Sequence, residues 1–304
     1  MRQLFLLLFS FGFYGFSIAQ KADSSIIRKH MIAITKTDEY RNFRNLEQLN
    51  QIADYLKEEF SKHADTTYFQ SYTVSGVEYK NVVAVFNPKS KKHLIIGAHY
   101  DVCKDQEGAD DNASGTVGLL ELARMLKDRD LNHRVELVAY TLEEPPFFRT
   151  EHMGSFIHAK SLSDKNAEVV GMICLEMIGY FKDEKKSQDY PIGILSWFYG
   201  SKGDYITLVK KFGAGKFVRQ FNRAFKKTTK IETKKFSGPP SLPGIDFSDH
   251  LNYWKFDYPA LMITDTAFYR NKNYHEKGDT LETLDLSKMA AVIDAVYDSI
   301  LEIF

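Results

Sequence analysis

At 304 residues the chain is long enough to bury one large core or two modest ones. Its 40 Lys and Arg are matched by 40 Asp and Glu, and short basic clusters such as Lys89-Ser90-Lys91-Lys92 and Lys226-Lys227 read as solvated faces, so nucleic acid is not an expected partner. Two cysteines, Cys103 and Cys174, do not make a disulfide scaffold; one bridge between them and two buried free thiols are both left open.

The N-terminus reads as an export signal. Arg2 precedes an apolar block from Leu4 to Phe16, and Ser17-Ile18-Ala19 has the small-x-small form of a cleavage site. The expectation is a signal peptide over residues 1–19, a mature chain over 20–304, and a secreted or periplasmic destination. Losing Arg2 leaves 39 basic against 40 acidic residues, a net charge of −1. The block is short for a transmembrane span, and nothing later is long and apolar enough, so no membrane contact is expected after cleavage.

Asp23 to Thr35 reads as a short helix. Asn45 to His63 reads as a longer amphipathic one, with Leu46, Leu49, Ile52, Ala53, Leu56 and Phe60 on one face. Three strand-like runs follow, Tyr68 to Val74, Asn81 to Phe86 and Leu94 to Ala98, joined by turn residues such as Ser75-Gly76 and Asn87-Pro88. A helix begins near Ala113. Arg134 to Thr141 is the next strand, Gly154 to Ser161 a helix, and Glu168 to Leu175 another buried strand.

Lys182 to Gln188 is read as a surface loop, Ile192 to Phe198 as a strand, and the stretches near Asp204 to Phe212 and Lys216 to Lys226 as helical. Phe236 to Phe247 carries Gly238, Pro239, Pro240, Pro243 and Gly244 and is read as a loop, long enough for a lid or pocket wall. Ser248 to Phe256 reads as a short helix, Pro259 to Thr264 as a late strand, and Leu286 to the C-terminus as an amphipathic helix. Strands alternating with helices over short connections indicate a single α/β layer domain.

Chemistry-bearing side chains recur at the ends of these strands. His99 and Asp101 end the Leu94 strand, Asp111 precedes the next helix, Glu143 and Glu144 follow the Arg134 strand, Glu176 ends the Glu168 strand, and His275 sits in a late loop. His99, Asp111, Glu144, Glu176 and His275 are the ligand types of two hard-to-borderline divalent metals. If Asp111 bridges, each ion receives one histidine, one private carboxylate and the shared one. With two Zn²⁺, three carboxylates and a bridging hydroxide the centre is neutral, so it tolerates a partly buried cleft. Glu143, beside a ligand but free itself, is placed to act as general base. Asp101, two residues from His99 on an extended segment, is placed to accept the second imidazole proton and fix the tautomer.

His-x-Asp, Asp-Asn-Ala-Ser-Gly, Glu-Glu, Glu-Met-Ile-Gly and His-x-x-x-Asp-Thr occur here in one order. Over roughly residues 45–304 that set resembles the co-catalytic zinc aminopeptidases, including the bacterial leucyl aminopeptidases, and more distantly glutamate carboxypeptidase II and the glutaminyl cyclases. The resemblance implies a three-layer α/β/α sandwich with a mixed, mostly parallel eight-stranded sheet and two Zn²⁺ per chain. His99, Asp111 and Glu176 would hold one ion, and Asp111, Glu144 and His275 the other. Glu143 matches the family's base and Asp101 its histidine-orienting acid. Tyr274 matches a tyrosine that some members use to stabilise the oxyanion. Glu176 departs from the Asp of many members, and its extra methylene changes its reach. Ser248-Asp249-His250 resembles a segment near the family's pocket; His250 is assigned equally to packing and to substrate contact.

The reading is a secreted dizinc metallo-exopeptidase, an aminopeptidase acting on a peptide substrate. The rivals are a glutaminyl cyclase-like single-zinc enzyme and a non-catalytic binding protein of the same fold. Side-chain preference, aminopeptidase or carboxypeptidase polarity, native metal and oligomeric state are not legible. Phe147, Phe148, Tyr180, Phe181 and Trp197 are candidates for a pocket lining, though core packing accounts for most such residues.

Overall fold

The computed structural model describes residues 21–304; the expected signal peptide, residues 1–19, lies outside the described residues. Eight strands form one sheet: β1 (Thr66–Val74), β2 (Val77–Phe86), β3 (Lys92–His99), β4 (Arg134–Tyr140), β5 (Glu168–Glu176), β6 (Tyr205–Lys211), β7 (Glu232–Gly238) and β8 (Ala260–Thr264). Their order is β1-β2-β4-β3-β5-β8-β6-β7. The central four, β4, β3, β5 and β8, are mutually parallel, and antiparallel pairs join β2 to β4 and β6 to β8. The sheet is thus mixed and mostly parallel.

Among the described residues there are eight α-helices: α1 (Ser24–Thr35), α2 (Leu46–Ser61), α3 (Gly115–Leu126), α4 (Gly154–Asp164), α5 (Leu195–Tyr199), α6 (Gly215–Thr228), α7 (His250–Lys255) and α8 (Leu286–Ile303). Alternation along β3 divides the interior between two helical layers. Leu94, Ile96 and Ala98 join a large apolar cluster with α2, α3, α6 and α8 residues, while Ile95 joins a second one with Ala159 and Leu162 of α4 and Tyr253 of α7. Gly97 is needed on that second face, because a Cβ there would stand 2.2 Å from the Tyr140 ring. The result is the α/β/α sandwich expected. Among the described residues no helix is long and apolar enough to cross a membrane.

Three expectations fail between residues 190 and 240. Ile192 to Phe198 is not a strand: it turns into the short α5, and Trp197 is 85% exposed. Its apolar residues stand at the surface, where no neighbouring strand supplies a hydrogen-bonding edge. Asp204 to Phe212 is not helical but contains β6, held between β8 and β7. Burial of both faces of this strand removes the alternation that would have marked it, although Ile206, Thr207 and Val209 are β-branched. The expected loop starting at Phe236 in fact begins after Gly238, the end of β7. That strand, partly exposed and carrying Lys234 and Lys235, is the sheet's edge. The other strands and helices match the expected ones to within a few residues.

The chain passes from β3 to β4 on one side and later to β5 on the other, so the sheet's order reverses at β3. Crevices at such reversals, outside the carboxyl ends of the strands, are where open α/β sheets bind ligands. His99 ends β3, Glu143 and Glu144 follow β4, and Glu176 ends β5.

Candidate metal centre

Burial of His99 is nearly complete, and its orientation follows from its two nitrogens. Nδ1 donates to the main-chain oxygen of Asp101 at 3.1 Å and lies 3.6 Å from the Asp101 carboxylate. That leaves Nε2 facing Asp111 at 3.4 Å, Glu176 at 3.4 Å and Glu143 at 3.8 Å. The Asp101 carboxylate accepts the main-chain N–H groups of Glu143 and Glu144, both at 3.2 Å. It therefore fixes the loop that carries both glutamates, while the Asp101 carbonyl fixes the imidazole.

Asp111 sits on an irregular turn, Ala109–Ser114, ahead of α3, where Asp111 and Asn112 leave helical geometry. The Asp279 carboxylate holds that turn by accepting the N–H groups of Asp110 and Asp111 at 2.9 Å each. Arg41, only 2% exposed, donates to the carbonyls of Tyr100 and Gly108 at 2.7 Å and also to that of Glu107. It ties the end of β3 to the turn. Burial brings its guanidinium down to about 10, against the pull of Asp279 and Asp111, so it stays a cation at neutral pH.

Glu176 is anchored at one oxygen. Oε2 accepts from Ser248 Oγ at 2.7 Å and from Asn112 Nδ2 at 3.2 Å. Asn112 also donates to the Leu175 carbonyl and accepts from the N–H groups of Gly115 and Met177. His275 approaches from the loop before α8, with Nε2 3.0 Å from Glu144 and 3.2 Å from Asp111, and the Tyr274 ring stacks on it at 3.8 Å between centroids.

The structure thus brings His99, Asp111, Glu143, Glu144, Glu176 and His275 together, with Asp101 and Tyr274 against them. Among the described residues three triads of possible ligand atoms lie within 4.8 Å of one another: His99–Asp111–Glu176, Cys103–Glu144–His275 and His99–Glu143–Glu144. Cys103 and Cys174 are both free and buried, so no bridge joins them. His250 packs edge-on against Trp254 and Nε2 meets the Ile245 carbonyl at 2.7 Å, so of its two assigned roles the structure has packing. Sequence reasoning missed Arg41, Asn112 as a ligand-orienting amide, and Ser248 as a donor. Of these, only Asn112 and Ser248 lie in stretches already singled out.

Electrostatically the cluster is rich in acids. Burial pushes the Glu143 carboxyl well above its usual range, and Glu144 and Glu176 add to this despite His99. Burial and then Asp111 push Glu144 up to about 8. Burial would lower both imidazoles, yet the carboxylates more than reverse it and raise His99 and His275. Asp111, which burial alone would raise, is pulled down by His275 and His99. Two like charges 4 Å apart repel by about 4 kcal/mol at an effective dielectric of 20. Four polar atoms of the cluster, His99 Nε2, Asp111 Oδ2, Glu144 Oε1 and His275 Nε2, are buried without a hydrogen bond among the described residues. Buried polar atoms are almost always satisfied. Four in adjoining imidazoles and carboxylates fit a pair of divalent cations.

Beside Glu176 opens a cleft of about 700 Å³, mouth included. Its walls include the rings of Tyr190, Tyr205, Phe236, Phe247 and Phe268, the polar Lys234 and Gln188, and Pro243 and Gly244 from the loop after β7. The five aromatic residues singled out from sequence are elsewhere: Phe147 packs on the core, Tyr180 and Phe181 are buried, Phe148 meets Phe247 edge-on, and Trp197 faces solvent.

A family model described as Peptidase family M28 matches residues 81–300. The uncharacterized protein YfbL of Escherichia coli (strain K12) is 44% identical over 288 residues, spanning 92% of this chain and 88% of the relative. A leucine aminopeptidase precursor from Bacteroides thetaiotaomicron superposes with a TM-score of 0.69 at 17% identity, over 93% of this chain and 98% of that one. A glutaminyl cyclase from the same organism superposes with a TM-score of 0.70 at 16% identity over the same shares. At these identities both structures speak to the fold.

Proposed function

The chain belongs to peptidase family M28, and on that premise we propose that it is a dizinc metallo-exopeptidase, an aminopeptidase exported to the periplasm or beyond, with residues 20–304 forming one catalytic domain. The observation that carries this reading is the set of four buried polar atoms without hydrogen bonds, all in neighbouring imidazoles and carboxylates of one cluster at the sheet's reversal. His99, Asp111 and Glu176 would hold one Zn²⁺, and Asp111, Glu144 and His275 would hold the other. When bound, the ions lower the pKa of water toward neutrality and polarise the scissile carbonyl.

This chain's own residues do the rest. Glu143 takes a proton from the attacking water and delivers it to the leaving amine. Its loop is held for this by the Asp101 carboxylate, and burial raises its affinity for that proton. Tyr274, pushed by burial and by Asp111 far above the usual phenol range, keeps its hydroxyl proton and donates to the carbonyl oxygen as charge develops there. The ring-walled cleft beside Glu176 takes an apolar N-terminal side chain and excludes water around it.

Purified protein loaded with Zn²⁺ or Co²⁺ is expected to hydrolyse aminoacyl 4-nitroanilides, with leucyl and aromatic substrates ahead of charged ones, and a chelator is expected to abolish this. Inactivity of the loaded protein on a broad aminoacyl panel would overturn the reading. One zinc per chain, together with cyclisation of N-terminal glutamine, would establish the glutaminyl cyclase alternative.

A further inference from the structure

The second triad holds an atom that the five-ligand scheme does not include. Cys103 Sγ, a carboxylate oxygen of Glu144 and a ring nitrogen of His275 lie within 4.8 Å of one another. Glu144 is 97% buried and its Oε1 has no hydrogen bond among the described residues, as does His275 Nε2. The position of Cys103 is fixed from both sides of its loop. Val102 N–H donates to the Arg41 carbonyl at 3.2 Å, and Asn42 Nδ2 donates to the Lys104 carbonyl at 2.8 Å. The thiol is buried and unbridged. Tetrahedral zinc, at roughly 2.3 Å from sulfur and 2.0–2.1 Å from imidazole, spaces its donor atoms about 3.6 Å apart. With its atoms within 4.8 Å of one another, the triad reaches that spacing by closing no more than about 1.2 Å.

Building on the paired-ion reading above, we propose that Cys103 is a protein ligand of the second metal ion, bound as the thiolate with loss of its proton to solvent. The two positions are then chemically unequal. The first has one nitrogen and two carboxylates, while the second has sulfur, nitrogen and carboxylate, with Asp111 3.2 Å from His275 as the shared fourth donor. Sulfur biases the second position toward Zn²⁺, Co²⁺ and Cd²⁺ and against Mg²⁺ and Mn²⁺. Four protein donors close it, so the open coordination position lies on the first.

The test is spectroscopic. Metal-free protein is titrated with Co²⁺, and bound cobalt is counted alongside near-ultraviolet absorbance. The expected result is two equivalents bound and a sulfur-to-cobalt charge-transfer band. Cys103→Ser should abolish the band and weaken one equivalent about tenfold or more. Cys174→Ser should keep the band, and Cys103→Asp should restore affinity without it. Two equivalents with no band in the wild-type protein overturn the Cys103 assignment and leave the paired-ion reading standing. A single equivalent overturns the paired-ion reading, and the band still decides whether Cys103 binds that ion.

Discussion

Ser248→Ala isolates the bond that adapts Glu176 to its longer reach. The Ser248 hydroxyl, also 3.1 Å from Cys174 Sγ, donates to Glu176 Oε2 at 2.7 Å, an oxygen that Asn112 Nδ2 approaches at 3.2 Å and His99 Nε2 at 3.4 Å. A hydrogen bond to a charged acceptor contributes about 1.5–3 kcal/mol. Loss of a group that orients a metal ligand typically costs 10–100-fold in metal affinity, or about 1.4–2.7 kcal/mol. The two routes agree, so affinity at the position held by His99, Asp111 and Glu176 should fall 10–100-fold. The Cys103–Glu144–His275 position makes no contact with Ser248 among those described and should hold its ion as before. Competition titration against a chromophoric chelator separates the two binding steps. Both steps unchanged in Ser248→Ala would refute the idea that Ser248 holds the carboxylate in place, and equal loss at both would refute the independence of the two positions.

Other consequences follow from the same geometry. Glu143→Gln should bind metal as the wild type does and lose about 10²–10⁴ in kcat, the usual worth of general acid–base catalysis, measured at saturating aminoacyl substrate. Metal removal should lower the unfolding free energy by about 2.7 kcal/mol per site for a metal held at 100 times its Kd, visible as a fall in Tm that Zn²⁺ reverses. Glu136 is buried and bonded to His93 at 2.8 Å and His158 at 3.2 Å, and these bonds, against burial, hold its carboxyl far below the usual range. A depressed carboxylate contributes stability above its unfolded pKa, near 4.5, and loses it as pH falls through the folded value. Glu136→Gln should therefore be less stable than wild type at pH 7 by about 1–3 kcal/mol. That gap, read from urea melts, should narrow below about pH 4.5; a constant gap would assign the loss to packing instead.

Much of the fold is legible because local periodicity and turn chemistry agree with the final structure. The α2 stripe and the Leu94 to Ala98 run lie where the pattern indicates. Legibility fails at β6 and β7, where pairing rather than pattern decides. β6 lies between two strands with both faces covered, and β7 is an edge whose Lys235 is exposed while Lys234 turns over the Tyr205 ring. The candidate site is legible in its residue types because most of the proposed ligands and the proposed base stand beside strand ends, and strand ends converge in a parallel sheet. What supports them is not. Arg41 comes from the connection between α1 and α2, and its donors meet main-chain carbonyls, a contact with no side-chain signature. The Asp101 carboxylate likewise turns to two N–H groups that sequence spacing does not reveal. The triad at Cys103 depends on where an irregular loop folds back.

Arg41 carries one more consequence. It lies forty residues before the start of the segment that matches the family model, yet it clasps the carbonyls on either side of the loop holding Cys103 and places a positive charge behind four acids. Trimming the polypeptide to its matched segment would remove this brace together with α1, α2 and β1, whose Ile27, Met31, Leu49 and Phe60 belong to the main apolar core. The matched stretch holds every proposed ligand and the proposed base but not the groundwork that aligns them.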